Sequence, residues 1–332
     1  MKFSFSINQQ RKAQIFFIAV LLVNIFVSSV TVTGIILGVG GYIAHTQFIY
    51  KTVTCCGYIC SKCFFTLSTF YTLFPWTCIV IFFAGVCTAV YKVYSMLLLN
   101  YRFVRSLKSL PAESHTKLQK IIPRVYPHNR VVLLDTPRFM YAFTSGLWKP
   151  KTYVSTAICS YLTSGELFAV ILHETHHARS RDPLKLFLVQ IFRSLNFFLP
   201  INSHLMKLYY SASEKAADDT AISTSGEALD LASALVKLSQ SNTPDKHSFP
   251  VAFSQGQNIV EDRLRRILVP DTAPPYLRNI YFYLSSLLSF FIAAAVCLPL
   301  FYKPFTHTGM IECRAKMCHV TLCGDRDHVS IR

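Results

Sequence analysis

Three long stretches of this chain carry no Asp, Glu, Lys or Arg: Ala13 to Tyr50, Cys63 to Tyr91 and Asn279 to Tyr302. Each is long and apolar enough to predict a helix that crosses a bilayer. Between the second and third the pattern changes character. Residues 104–125 read as a basic helix. Val131 to Asp135, Met140 to Thr144 and Lys151 to Ser155 are short β-favouring runs, with Gly146 and Trp148-Lys149-Pro150 marking the turn between the last two. Thr163-Ser164-Gly165-Glu166 has the capping-box pattern, and Leu167, Phe168, Val170, Ile171 and Leu172 follow as a nearly unbroken apolar run. That predicts a buried helix opening at Thr163, with Pro183 ending it. Glu227 to Leu238 and Ile259 to Leu268 have helical periodicity. Ser241 to Pro250 reads as a polar loop, and Pro270 to Pro275 as a stiff linker; no internal repeat is visible.

The pattern predicts an α+β fold: a mainly α-helical integral membrane protein with a compact domain of helices and a small β-sheet. Residues 1–99 form two transmembrane helices with a Cys-rich external loop. Residues 100–277 are expected to form the compact domain, including an apolar segment at 184–201. Residues 278–302 form a third transmembrane helix, and 303–332 a short Cys-containing external tail.

Composition agrees, since 52% of the 332 residues are hydrophobic and only 15% charged, too apolar for an ordinary soluble enzyme. A signal peptide fits the first span less well than a retained anchor, because the apolar run is long and lacks an A-x-A end. Lys2, Arg11 and Lys12 precede the first span, and Lys92, Arg102, Arg105, Lys108, Lys117, Lys120 and Arg124 follow the second. Only Lys51 and Lys62 lie between them, so both basic flanks are expected on the cytoplasmic face of the plasma membrane. An anionic inner leaflet then accounts for the net charge of +16, and no direct nucleic-acid contact is expected. Four of the 11 cysteines (Cys55, Cys56, Cys60, Cys63) fall in the external loop and Cys313, Cys318 and Cys323 in the tail, where disulfides can persist. Seven thiols cannot all pair within one chain.

The chemistry is concentrated at His173-Glu174-Thr175-His176-His177, an H-E-x-x-H motif. In a helix, His173 and His177 stand on one face a turn apart and can offer two imidazole nitrogens to one metal ion. Glu174 sits beside them, where a carboxylate can take a proton from a metal-bound water. A buried helix that runs into these five residues buries polar groups that need partners. His176 is left out of the ligand set, because choosing it would cost Glu174 its usual spacing.

Downstream, Glu214 and Asp218 stand four apart on another predicted helix, with Ala217 and Ala221 on nearly the same stripe. Like charges at that spacing destabilise a helix unless something cationic compensates. A zinc ion would do so, with Glu214 as third ligand and Asp218 accepting the ring N–H of His173. The small alanines let this helix come close to the first.

With both motifs in place, the chain resembles the BlaR/MecR-type antirepressor metallopeptidases, membrane-bound gluzincins, and more distantly the HtpX-type and CAAX prenyl proteases. The likeness runs from Gly146-Leu147-Trp148-Lys149-Pro150-Lys151-Thr152-Tyr153-Val154-Ser155 through Leu172-His173-Glu174. It continues in His177-Ala178-Arg179-Ser180-Arg181-Asp182-Pro183-Leu184 and Glu214 to Asp218, and fades near Arg263. It implies a zinc endopeptidase of the gluzincin kind, with one Zn2+ per chain, and an edge strand for an extended substrate. Tyr141-Ala142-Phe143 is the candidate strand; an ordinary hairpin is the bland alternative. The transducers of this family end in a large penicillin-binding sensor domain, whereas here residues 303–332 follow the last span, so direct antibiotic sensing is not implied.

If His177 and Glu214 meet at one ion, the chain between them crosses the membrane an even number of times. Two crossings need about forty residues plus a turn. Leu184 to Ile201, apolar but carrying Lys185, Gln190, Arg193 and Asn196, is therefore expected to lie in the interface as an amphipathic or re-entrant element. Tyr209, Tyr210, His247 and Arg263 are candidate donors to the oxyanion, and Arg263 either pairs with a site carboxylate or is solvated. The expected substrate is a peptide or protein, with a transcriptional repressor or the enzyme itself suggested by the resemblance; a second copy of the chain stands among the candidate partners. Two rival readings stay open: a quality-control protease of the HtpX kind, and a signalling scaffold that keeps the zinc site without catalysis.

Overall fold

The computed structural model describes residues 3–56, 61–106, 108–125, 131–240, 257–268, 284–289 and 291. Two long helices come first, α1 (Phe3–Cys56) and α2 (Ser61–Ser106). Within them Asn8–Gly40 and Trp76–Phe103 are long and apolar enough to cross a membrane. Most of the third expected span, the external tail, the 241–250 loop and the 270–275 linker lie outside the described residues, as does the pairing of the external cysteines. Residues 284–289 of that span are helical.

The chain divides into two compact units. One comprises Met1–Asn24 and Thr88–Ser286, the other Ile25–Cys87 and Leu287–Arg332. The first holds all the candidate chemistry. Beyond residues 100–277 it takes in the start of α1 and the last turns of α2.

The continuous basic helix expected over 104–125 does not form. The helix stops at Ser106, and β1 (Ser109–Leu110), a 3-10 turn at Ala112–Ser114 and the short helix α3 (Thr116–Ile121) follow, with a second 3-10 turn at Ile122–Arg124. Pro111 has no N–H to give to a helix and restricts Leu110 to an extended backbone. Ser109 and Leu110 pair instead with Leu134 and Leu133.

The sheet contains β1, β2 (Val131–Leu134), β3 (Ala142–Ser145) and β4 (Lys151–Ser155), in the order β1-β2-β4-β3. β2 runs parallel to β4, and β3 pairs antiparallel with it. Gly146 turns the chain between them at φ 114°, a left-handed backbone where a Cβ would meet the Lys149 carbonyl oxygen at 2.9 Å. β3 is thus the last strand on its side, and it contains Ala142 and Phe143. Tyr141 precedes the strand and stays laddered to Ser155, its carbonyl accepting from the Ser155 amide at 2.8 Å.

Helix α4 (Thr156–Tyr161) leads to α5 (Ser164–Ser180), which begins as its capping box predicts: the Thr163 hydroxyl accepts from the Glu166 amide, and the Glu166 carboxylate accepts from the Thr163 amide. Leu167 and Ile171 are fully buried against Leu133, Val154 and Ile158, joining the helix to the sheet. Each such side chain contributes about 1.5–3 kcal/mol on burial.

Pro183 does not end α5. The helix closes at Arg181, which takes a left-handed conformation (φ 53°, ψ 38°), and Pro183 lies in the first turn of α6 (Asp182–Leu195), where its missing N–H costs nothing. Helix α6 spans about 21 Å at 1.5 Å per residue, too short to cross a bilayer. It is followed by α7 (Pro200–Ser225), α8 (Ala228–Gln240) and α9 (Gln257–Leu268). The α6–α7 connection is tied to α1 by three buried asparagines. Asn24 donates to the Asn202 side-chain oxygen at 2.8 Å, and Asn196 donates to the Asn24 side-chain oxygen at 2.9 Å. A polar cluster in apolar surroundings holds only when its members satisfy one another.

Candidate metal centre

The centre forms where α5 and α7 cross. Ala216, Ala217 and Ala221 are buried on α7, and Ala221 packs against Ala169 and Leu172 of α5. Small side chains bring the two backbones close enough for Glu214 to reach the imidazoles of His173 and His177.

His173 Nε2 and His177 Nε2 lie 3.3 Å apart. Glu214 Oε2 is 3.5 Å from the first, and Glu214 Oε1 is 3.4 Å from the second. Donors arranged tetrahedrally at zinc's usual 2.0–2.1 Å stand about 3.3–3.4 Å from one another. The three side chains therefore fit a zinc-sized ion, and their two-nitrogen, one-oxygen set suits that metal.

The far side of each imidazole is held by a carboxylate. His173 Nδ1 is 3.0 Å from Asp218 Oδ1, the position expected from the sequence. His177 Nδ1 is 2.7 Å from Asp182 Oδ2, a partner that was not anticipated. With Nδ1 hydrogen-bonded to an acid, a proton is held on that side of each ring, and Nε2 is the nitrogen left to serve a metal ion. Asp182 is itself fixed by Ser213 Oγ at 2.7 Å and by the Tyr209 hydroxyl at 3.3 Å. The left-handed turn at Arg181 folds Asp182 back onto the helix that has just ended. A non-glycine residue there costs about 1–2 kcal/mol. The motif Arg181-Asp182-Pro183 was the available signal, since an acid just before a first-turn proline marks a new helix start.

Arg263, on α9, closes the other side. Its Nη1 is 3.0 Å from Glu214 Oε2, while Nη2 and Nε reach the two Asp218 oxygens at 2.6 and 2.9 Å. Of the two readings left open for Arg263, the structure selects pairing with the site carboxylates. Glu174 is buried beside the ligands, and Thr144 of β3 donates to its backbone carbonyl at 2.7 Å, with Oε2 of its carboxylate 3.1 Å away. This contact joins the last strand to the centre. His176 faces elsewhere, with its ring nitrogens on Thr220 Oγ1 at 2.9 Å and Ser180 Oγ at 3.2 Å. Tyr210 hydrogen-bonds Glu214, whereas Tyr209 is committed to Asp182. His247 lies outside the described residues.

Glu174, Asp182, Glu214 and Asp218 are all buried, and Arg263 is the guanidinium among them. Burial opposes the charge on Glu214, but Arg263 and both imidazoles hold its carboxyl well below the usual range. Burial disfavours protonated His177, yet its hydrogen bonds to Asp182 and Glu214 keep it well above its ordinary value. Burial pushes the Glu174 carboxyl up, against the pull of His173 and His177. With both imidazoles neutral, as metal ligation requires, Arg263 would balance one of these acids and a divalent cation would balance the charge that remains.

No curated protein matches the chain. A family model described as BlaR1 peptidase M56 matches residues 66–267, a stretch that runs from α2 through the sheet and α5 to Glu214 of α7 and Arg263. By that match over more than half its length, the chain belongs to the BlaR1 peptidase M56 family, a family of membrane-associated metallopeptidases.

Proposed function

We propose that the protein is an integral membrane zinc endopeptidase of the gluzincin kind, hydrolysing peptide bonds at the cytosolic membrane face. The convergence of His173 Nε2, His177 Nε2 and Glu214 at tetrahedral-edge spacing carries this reading. A zinc ion bound by these three would polarise a scissile carbonyl and acidify a water. Glu174 takes the water's proton and passes it to the leaving amine. Asp218 and Asp182 orient the two imidazoles, and Thr144 fixes Glu174 relative to β3. Tyr210 and Arg263 are the donors near the ligands from which an oxyanion would draw hydrogen bonds. An extended substrate pairs along β3, where Tyr141, Ala142 and Phe143 form the docking edge.

Family membership favours regulated cleavage in signalling, with a cytosolic repressor or the chain itself as substrate, over general quality control. The test compares purified wild type with Glu174→Gln for zinc content and for cleavage of candidate repressors or of itself. Retained zinc with cleavage reduced at least about 100-fold is expected for loss of a general base. Equal cleavage by both proteins would remove Glu174 from the reaction.

A further inference from the structure

The turn that joins β3 to β4 carries Trp148, which is 79% exposed, the most exposed large apolar residue among those described. Nothing in the catalytic reading uses it. Its position relative to α2 gives it a role.

The Ser145 hydroxyl, at the end of β3, donates to Asn100 Oδ1 at 3.0 Å. Asn100 lies within the last turn of the apolar stretch Trp76–Phe103. Phe103, the last residue of that stretch, packs its ring against Tyr141 and Phe143 at 6.1 and 5.5 Å between centroids. Both ends of β3 are thereby fastened to the end of α2. Trp148 is three residues beyond Ser145, no more than about 11 Å of chain away. If the stretch ending at Phe103 spans a bilayer, Trp148 falls at the depth of the headgroups.

The chemistry around it suits that depth. α2 is apolar and aromatic on its exposed sides up to the same level, with Leu97, Leu99 and Tyr101 exposed. Basic side chains cluster there: Arg102 and Arg105 on α2, Lys149 on the turn and Lys151 at the start of β4, with Lys92 the one basic residue further back along the same stretch. An indole is amphipathic, burying its ring while its N–H reaches water or ester oxygens. Lysines beside it can extend to anionic phosphates. In water, an indole this exposed gains nothing.

We propose that the β3–β4 turn is a lipid-docking element, with Trp148 seated in the headgroup layer of an anionic bilayer. The consequence for the enzyme is positional. β3 is held at the membrane surface at both ends, so the substrates it takes are segments that can lie along that surface. The proposal rests on the membrane reading of α2, and the test separates the two.

The chain has two tryptophans, Trp76 and Trp148. The full-length protein is reconstituted in nanodiscs of phosphatidylcholine and phosphatidylglycerol, as Trp76→Phe (reporting Trp148) and as Trp148→Phe (reporting Trp76). Lipids brominated near the headgroup or near the bilayer centre serve as quenchers. Docking predicts blue-shifted Trp148 emission, loss of intensity with shallow bromines, weaker loss with deep ones, and protection from aqueous acrylamide. Quenching of Trp76 alone, with Trp148 fully open to acrylamide, would overturn the docking proposal and leave the membrane reading of α2 standing. Quenching of neither would overturn both.

Discussion

His177 Nδ1 and Asp182 Oδ2 stand 2.7 Å apart across the break between α5 and α6. The His177 imidazole is thus oriented by an acid only five residues away in sequence, presented by a left-handed residue that no glycine provides. The same acid collects Ser213 and Tyr209 from α7. One carboxylate therefore couples the aim of His177 to the seating of α7, which carries Glu214.

Replacing Asp182 by Ala should weaken zinc binding about 10–100-fold, the usual cost of losing a carboxylate behind a ligand histidine. Competition with a fluorescent chelator measures this. Asp182→Asn should fall between, because an amide oxygen can still accept from Nδ1. Unchanged affinity in both variants would show that α7 packing alone orients the ring.

Arg263 leads to a different expectation. Asp218 is 1% exposed, and its charge is balanced by the Arg263 fork and by His173. Arg263→Ala leaves a buried carboxylate short of its partner, and about 3–5 kcal/mol of stability should be lost. Arg263→Lys keeps the charge but cannot contact both Asp218 oxygens and Glu214 together, so it should recover only part of that. Thermal unfolding in detergent, with zinc saturating, gives the order wild type, Lys, Ala. An Arg263→Ala protein as stable as wild type would contradict the pairing.

The part of the centre carried within one helix was legible in the sequence. The spacing of His173 and His177, the capping box at Thr163 and the three short strands are local properties, fixed by helical period, cap chemistry and β-branching. Glu214 could be reached by charge logic, since two acids a turn apart need a cation. Asp182 was legible only as the start of a new helix, from the acid before Pro183; its bond to His177 depends on the backbone reversal at Arg181, which a spacing pattern does not carry. Thr144 was hidden for a related reason: a hydroxyl in a strand is ordinary until the fold lays that strand beside Glu174. The basic helix expected over 104–125 stops at Ser106, because Pro111 lacks an amide and Ser109 and Leu110 pair with β2.

Glu166 supplies a pH dependence away from the metal centre. Burial raises its pKa, but hydrogen bonds from Lys237, Ser233 and the Thr163 amide overcome that and bring it down to about 2. Lys237 Nζ lies 2.7 Å from Oε1. The folded value is below the ordinary 4.5, so the ionised acid's contribution is complete above that pH and is lost as pH falls from about 4.5 towards 2. Glu166→Gln should be less stable than wild type by about 1–3 kcal/mol at neutral pH. Chemical denaturation across this range should show the difference shrinking as the acid is protonated. A difference that stays constant down to the acid end would mean that Glu166 acts through shape alone.

The most direct test of the centre is X-ray absorption at the zinc edge on the purified full-length protein, paired with metal content in Glu214→Ala. Two imidazoles with oxygen donors, no sulfur, one zinc per chain, and a loss of at least about tenfold in affinity on removing Glu214 are the expected results. Sulfur in the first coordination sphere, or zinc bound equally well without Glu214, would contradict the assignment of His173, His177 and Glu214 to one ion.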